Sequence, residues 1–160
     1  MRTSGILMHI SSLPSPYGIG TMGKEARKFV DFLDKSGQTY WQILPICPTS
    51  YGDSPYQSFS SNAGNPYFID LDDLCDEGYL EKEEYVNENY GTDVNCVDYA
   101  QIYNTRFTVL RKAVERLSAV QTEDYLSFLR DNAYWLNDYA LFMAEKDDHK
   151  GQAYTTWEED

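Results

Sequence analysis

The chain of 160 residues carries 26 acidic and 13 basic side chains, which gives a formal net charge of −13 at pH 7. Such a surface repels nucleic-acid phosphates and anionic lipids, so we expect no nucleic-acid partner and no membrane contact. With 42% hydrophobic residues, the length suffices for one ordinary domain with a core. A neutral partner such as a carbohydrate suits this charge, whereas the alternative is an acidic face that only keeps the protein soluble.

The three cysteines, Cys47, Cys75 and Cys96, are widely spaced and contain no CxxC pair. This spacing predicts neither a zinc site nor a disulfide framework, and favours buried free thiols in a reducing compartment. The start of the chain has no apolar signal core, and no long apolar run follows. We therefore expect a cytoplasmic protein.

The first 46 residues predict a parallel βαβ unit. Ile6–Ile10 is a short apolar run bounded by Gly5, which is typical of a buried strand. Between Lys24 and Ser36 the apolar residues fall on one helical face, and Gly37 is a natural helix end. Tyr40–Ile46 predicts a second buried strand. A strand, an amphipathic helix and a second strand indicate an α/β protein with a right-handed crossover.

The segment from Pro45 to Asp70 has no helical period and is rich in aromatic and small polar residues. It begins at the carboxyl end of the second predicted strand, where ligands bind in parallel sheets. Aromatic rings can cover the C–H faces of a sugar, and hydroxyl and amide groups can bond its rim. The loop is therefore a candidate sugar-binding element; the alternative is a packed surface loop.

The sequence after Asp70 predicts helices. They are two short ones at Leu71–Glu77 and Lys82–Asn87, one capped by Asp98 and ending near Ser118, one from Thr122 to Arg130, and one from Asn132 or Ala133 to Asp148. Periodicity predicts the inward apolar residues of the helix after Asp98 and of the last helix. They are Ile102, Tyr103, Val109, Leu110, Ala113, Val114 and Leu117, and Trp135, Leu136, Tyr139, Phe142 and Met143. We divide the chain into a βαβ part, residues 1–70, and a helical part, residues 71–160. A complete (β/α)8 barrel needs about 250 residues, so this chain cannot contain one.

Five segments together resemble the amino-terminal part of the 4-alpha-glucanotransferases, the amylomaltases or disproportionating enzymes of the alpha-amylase clan. They are SSLPSPYGIG at 11–20, YWQILPI at 40–46, YGDSPYQSFSSNAGNPYFIDLDDL at 51–74, NDYALFMAEK at 137–146 and TTWEED at 155–160. Glu158 departs from the family, in which we expect proline. The resemblance implies the start of a (β/α)8 TIM barrel with first strands Ile6–Ile10 and Trp41–Ile46, and an inserted helical subdomain, residues 71–160.

The resemblance also implies an activity. The family transfers α-1,4-glucan segments between maltodextrins by a retaining double displacement, which needs a carboxylate nucleophile and a carboxylic acid beside the scissile bond. In the family these carboxylates lie on later barrel strands, beyond Asp160. We therefore assign no catalytic residue, no cofactor and no metal, and we predict that this chain alone is inactive.

Sugar binding carries over to four residues of the loop. By resemblance, Tyr56 of the DSPYQ motif stacks on the sugar ring at the cleavage subsite, and Ser54 lines the donor site. Asp53 helps to hold the loop, although a turn residue is the simpler interpretation. Tyr51 matches a tyrosine that can meet glucan outside the cleft. The expected partner is an α-1,4-glucan or maltooligosaccharide.

Two other functions stay open at this point. A non-catalytic carbohydrate-binding or interaction module would keep the aromatic loop and bind glucan by itself. Another enzyme of the clan, such as a sucrose phosphorylase, is disfavoured by the DSPYQ and GNPYFID motifs. Because an incomplete barrel exposes sheet edges and helix faces, we also expect self-association.

Overall fold

The computed structural model describes residues 2–93, 95–118 and 122–157. The chain divides into two compact units between residues 120 and 121. The predicted boundary at residue 70 separates the start of a barrel from an inserted subdomain. The two compact units do not test that boundary, so it stays a prediction. Glu158, the predicted departure from the family, lies outside the described residues.

The first unit contains a parallel pair of strands connected by a helix, followed by two further helices. The strands β1 and β2 pair Gly5 with Tyr40, Ile6 with Trp41 and Leu7 with Gln42. The predicted βαβ unit is thereby confirmed. The helices and strands of both units are β1 (Gly5–Leu7), α1 (Lys24–Lys35), β2 (Tyr40–Gln42), α2 (Leu71–Asp76), α3 (Tyr99–Ser118), α4 (Glu123–Asp131) and α5 (Ala133–Asp148).

Both strands are shorter and more exposed than the sequence predicts. β1 ends at Leu7 and β2 at Gln42, where the predictions extended to Ile10 and Ile46. The prediction of buried strands is wrong: Leu7 is 59% exposed and Tyr40 61%. The sheet has two strands among the described residues, so no third strand covers either edge. A short 3-10 helix begins at Ile10 and ends the extended backbone.

Helix α1 packs its apolar face against β2. Ala26 and Leu33 are buried, and the Phe29 ring meets Trp41 edge-on at a centroid distance of 4.9 Å. The Trp41 indole donates a 2.7 Å hydrogen bond to the Met8 carbonyl, which fixes the helix beside the end of β1. The predicted inward position of Val30 is wrong, because this side chain is 50% exposed on the flank of the face.

Helix α3 forms the centre of the first unit. Four of its predicted apolar positions are buried: Ile102, Val109, Leu110 and Ala113. Two others, Tyr103 and Val114, are 55% and 59% exposed, so the predicted stripe is too wide. The remaining buried position of this face is a charged residue, Arg106.

Two short helices connect the loop to α3. The Asp70 carboxylate caps α2, since its Oδ1 accepts the amides of Asp72 at 3.0 Å and Asp73 at 3.1 Å. The predicted helix at Lys82–Asn87 is only a 3-10 helix over Lys82–Glu84. These elements bring the acidic segment onto α3, with Leu71 and Tyr85 buried in the shared core.

The second unit is a helical pair. Thr122 caps α4 by accepting the Tyr125 amide at 3.2 Å, as predicted. Helix α5 has the predicted bounds, and the five residues predicted to face inward are each half-buried: Trp135, Leu136, Tyr139, Phe142 and Met143. After α5 the His149 ring stacks on Trp157 with a centroid distance of 4.7 Å.

The cysteines are all free thiols, as predicted, but the expected burial is wrong. Cys47 and Cys75 are half-buried, and Cys96 is exposed. In the part of the chain that the structure describes, no helix combines the length and apolar character required to cross a bilayer.

Candidate functional site

The loop after β2 folds back on itself and closes at its base. The Asn65 amide donates to the Ile46 carbonyl at 2.8 Å, and the Ser50 amide donates to the Gln57 carbonyl at 3.2 Å. Inside this closed lobe, Asp53 N–H bonds the Ser50 carbonyl at 3.0 Å. The lobe therefore has defined turns, although it contains neither helix nor strand.

The tip of the lobe requires left-handed backbone. Gly52 has φ +100° and Asp53 has φ +56°. A non-glycine residue with positive φ is uncommon, and aspartate is among the few that tolerate it. The conformation turns the chain sharply between Tyr51 and Ser54, so these two predicted sugar-binding residues differ in environment.

The four predicted residues do not share one pocket. Tyr51 is fully exposed and Tyr56 is 72% exposed, so both rings offer open faces to solvent. Ser54 is half-buried, and its Oγ lies 3.4 Å from the Tyr56 amide, a turn contact. Asp53 lines a cavity at the strand ends, and the other three residues are not part of the lining of that cavity.

This cavity has a volume of about 150 Å³ and lies where both strands have ended. His9 and Ser11 follow β1, and Leu44 and Pro45 follow β2. The lining also includes Ile19, the loop residues Thr49, Asp53, Asn65 and Phe68, and Tyr99 at the start of α3. The cavity is mixed in character, with apolar side chains beside hydroxyl, amide, imidazole and carboxylate groups.

Burial shapes the charges around the cavity. Desolvation raises the pKa of Asp53 and lowers the pKa of His9 from 6.5, so the imidazole is neutral at pH 7. Burial, helped by the Asp53 charge, raises the pKa of Tyr67 to about 12. The same two causes raise the pKa of Tyr99 above its usual range. One carboxylate among neutral donors and acceptors suits a neutral, hydroxyl-rich ligand.

His9 holds its place through an aromatic contact. Its ring meets Phe68 edge-on at a centroid distance of 5.3 Å. Its Nδ1 atom is buried and has no hydrogen-bond partner among the described residues. A buried imidazole nitrogen without a partner costs stability, so His9 keeps an unused hydrogen-bonding atom within the wall of the cavity.

Sequence reasoning missed most of this lining. From the sequence alone, His9 is more simply a core residue and Asn65 a turn residue, and no local pattern selects Ser11, Thr49 or Tyr99. The position of His9 and Ser11 directly after a strand was a usable signal, because ligand sites in parallel sheets use such positions. Tyr99 gave none, since its contact with the cavity depends on how α3 packs.

Among residues 2–93, 95–118 and 122–157, no group of three or more His, Cys, Asp or Glu side chains is arranged to hold a metal ion. The chemistry that the site offers is hydrogen bonding and ring contact. The loop and cavity can bind and orient a ligand.

A sequence model of the protein family described as 4-alpha-glucanotransferase matches residues 8–160. The chain belongs to the 4-alpha-glucanotransferase family. The match includes the entire loop and the residues that follow both strands.

Similar proteins agree with this membership. The 4-alpha-glucanotransferase of Clostridium butyricum is 50% identical over 153 residues, which cover 96% of this chain and 31% of that protein. The 4-alpha-glucanotransferase of Thermus thermophilus is 46% identical over 160 residues, 98% of this chain and 31% of its own length. The chain thus spans about a third of the length of these relatives.

The fold resembles part of a solved amylomaltase. The structure of amylomaltase from Streptococcus agalactiae in complex with acarbose matches with a TM-score of 0.91 at 46% identity. The match covers 99% of this chain and 32% of that one. The partial assembly of sheet and helices in this chain is therefore similar to about a third of that structure.

Proposed function

We propose that this chain is part of a 4-alpha-glucanotransferase and forms one wall of its α-1,4-glucan cleft. The observation that carries the proposal is the family match over residues 8–160, which includes the loop and the cavity at the strand ends. The amylomaltase neighbour was solved in complex with acarbose. A cavity of mixed lining with a single carboxylate, together with the open aromatic rings of the loop, suits a neutral oligosaccharide.

The four loop residues have different roles in this proposal. Tyr56 offers its open ring as a platform for a glucose unit, since a flat aromatic face complements the C–H face of a sugar. Ser54 lines the donor side, and Asp53 connects the lobe to the cavity. Tyr51, fully exposed, meets a glucan outside the cleft.

The complete enzyme in this proposal is a (β/α)8 barrel that begins with β1, α1 and β2. The parallel pairing of the strands and the TM-score of 0.91 support it. Transfer then follows a retaining double displacement with its two carboxyl groups on barrel strands that this chain does not contain. What this chain supplies is binding and orientation of the glucan.

Incubation with maltotriose tests the division between binding and catalysis. This chain should yield no longer maltodextrins, whereas the Clostridium butyricum enzyme should yield them under the same conditions. Transfer by this chain alone would overturn the proposed location of the carboxylates.

A titration tests the glucan wall itself. Maltoheptaose should shift the NMR resonances of the lobe Ser50–Gln57, weakly because the cleft is incomplete. Cellohexaose, with β-1,4 linkages, is the control and should shift them less. Equal shifts with both sugars, or none with either, would contradict an α-1,4-glucan site.

The surface and the thiols support two further parts of the proposal. Phe32 and Met22 are 52% and 54% exposed on the first unit, in addition to the open strand residues. Such apolar surface favours self-association, which sedimentation at increasing concentration would detect.

Free thiols fit a reducing compartment, so we place the protein in the cytoplasm.

A further inference from the structure

Arg106, in the middle of α3, is a fully buried cation with few partners. Its side chain has 0% exposure, and its Nη2 donates a hydrogen bond to the Ile69 carbonyl. Its Nε and Nη1 atoms are buried and have no hydrogen-bond partner among the described residues. A guanidinium has five N–H donors, so this one leaves most of its capacity unused.

Such a group is an unfavourable way to stabilise a core. Burial lowers the pKa of Arg106 to about 10, while the nearby Tyr90, Asp70 and Tyr67 oppose that shift. A buried charge costs stability unless it is paired and hydrogen-bonded, and an apolar residue of similar volume often serves a core as well or better. The Asp70 carboxylate already accepts hydrogen bonds from the Thr21 hydroxyl and two α2 amides. The direct contact of Arg106 is therefore with the backbone of Ile69.

Residues 65–69 form the segment that closes the loop after β2 at its base, and Ile69 is the last residue of this segment. Two other hydrogen bonds hold this segment: the Asn65 amide to the Ile46 carbonyl at 2.8 Å, and the Met22 amide to the Phe68 carbonyl at 2.9 Å. Asn65 and Phe68 line the cavity at the strand ends. The segment is thus one wall of the site, tied at three points.

The middle of this wall is packed and its carboxyl end is not. Tyr67 and Phe68 are buried in the core of the first unit, whereas Ile69 is 42% exposed. A second, open cavity of about 440 Å³ lies against the wall, and its lining includes Asn65, Phe68, Ile69 and Leu74. Packing therefore holds the end at Ile69 least, and Arg106 supplies the hydrogen bond at this end.

We propose that Arg106 is a positioning residue, which holds the segment 65–69 in the place where Asn65 and Phe68 face the ligand. The inference rests on the proposed glucan function for the identity of that ligand. The positioning itself depends on the hydrogen bond from Arg106 to Ile69 and on the exposure of that end of the segment.

The test compares Arg106→Met with Arg106→Lys by amide hydrogen exchange. Methionine keeps an unbranched apolar volume but cannot donate, so exchange at Asn65, Phe68 and Met22 should rise by about tenfold or more. Exchange at the core amide of Ala113 should rise less. Lysine can donate to the Ile69 carbonyl and should restore most of the protection.

Arg116→Met is the matched control. Arg116 lies on the same helix and also donates to a backbone carbonyl, that of Tyr79, at 3.0 Å. Its loss should leave exchange at segment 65–69 unchanged. If Arg106→Met accelerates the wall and the Ala113 amide by the same factor, Arg106 is only structural and the proposal is overturned.

Two outcomes complete the design. If Arg106→Met does not fold, the lysine variant decides: a loss of protection confined to the wall supports the proposal, and a loss shared equally with the Ala113 amide, or no loss at all, overturns it. A maltoheptaose titration of the same variants separates the two proposals. If the unsubstituted chain binds no glucan while the methionine variant loosens the wall selectively, the glucan function fails and the positioning role stands.

Discussion

The Glu84 carboxylate and the Arg116 guanidinium form a two-point pair, with Nη1 to Oε2 at 2.8 Å and Nη2 to Oε1 at 2.9 Å. Oε2 also accepts the Glu81 amide at 2.8 Å. These bonds, chiefly that from Arg116, lower the pKa of Glu84 from 4.5 to about 2. The pair connects α3 to the acidic segment that follows the loop.

The first prediction concerns the pH dependence of this pair. A carboxylate whose pKa is lowered by folding stabilises the native state above its unfolded pKa, and this contribution disappears as the pH falls through the folded value. Glu84→Gln should therefore lower the urea midpoint at pH 7, with the difference shrinking below about pH 4.5 and vanishing near pH 2. If the difference between the two urea midpoints stayed constant between pH 7 and pH 3, the charge of Glu84 would not be the source of the stabilisation.

The second prediction compares two valines of α3, Val109 and Val114. Val109 is 1% exposed in the core, and Val114 is 59% exposed. Val109→Ala should cost about 2 kcal/mol of unfolding free energy, because it removes buried methyl groups and leaves a cavity. Val114→Ala should stay within about 0.5 kcal/mol. Urea unfolding followed by circular dichroism measures both; similar losses would contradict the observed helix face.

The two valines also show where sequence prediction reaches its limit. Both lie on the apolar stripe of α3, and periodicity alone predicted both as inward. A helix in this unit buries only the part of its face that neighbouring elements cover, and that depends on tertiary packing. The α1 face behaves in the same way, since Leu33 is buried and Val30 is exposed.

The location of the candidate site could be predicted from the sequence better than the residues that line it. The local sequence pattern predicts a loop directly after the second strand. Because the two strands are parallel, their carboxyl ends lie beside each other at the start of that loop. His9 and Tyr99 reach the same cavity from positions 90 residues apart, a contact that no local pattern encodes. Arg106 is the clearest case, because a charge within an apolar stripe normally predicts an exposed position.

The third prediction compares two glycines with positive φ. Gly18 has φ +77°, and a Cβ there would lie 2.2 Å from the Tyr90 carbonyl oxygen. Gly37 has φ +67° and open space around it. Gly37→Ala should cost about 1 to 2 kcal/mol from backbone conformation alone. Gly18→Ala should cost at least about 3 kcal/mol, since the clash adds to that term. Equal costs in thermal unfolding would show that the approach of Tyr90 is easily relieved.

The fourth prediction concerns the open tyrosine rings. If Tyr56 is a sugar platform, Tyr56→Ala should weaken maltoheptaose binding by about tenfold, and Tyr56→Phe should bind nearly as well as the unsubstituted chain because the ring is kept. Tyr134→Ala, a 77% exposed tyrosine of α5, is the control and should have no effect. NMR titration gives the affinities, and equal weakening by Tyr134→Ala would indicate non-specific contact.

The last prediction separates the charge of Asp53 from its backbone role. Asparagine tolerates the φ of +56° as well as aspartate does, so Asp53→Asn changes mainly the charge. Because burial raises the pKa of Asp53, its ionised form opposes folding: the favourable contribution exists below the unfolded pKa and is lost as the pH rises through the folded value. Asp53→Asn should therefore be slightly more stable than the unsubstituted chain at pH 7, with no such gain at pH 3.

Asp53→Ala is the control for the backbone role. It is strained at this φ and should be less stable at both pH values. Urea midpoints at the two pH values measure this, and a loss of stability with asparagine at pH 7 would show that the carboxylate has a stabilising partner in the cavity.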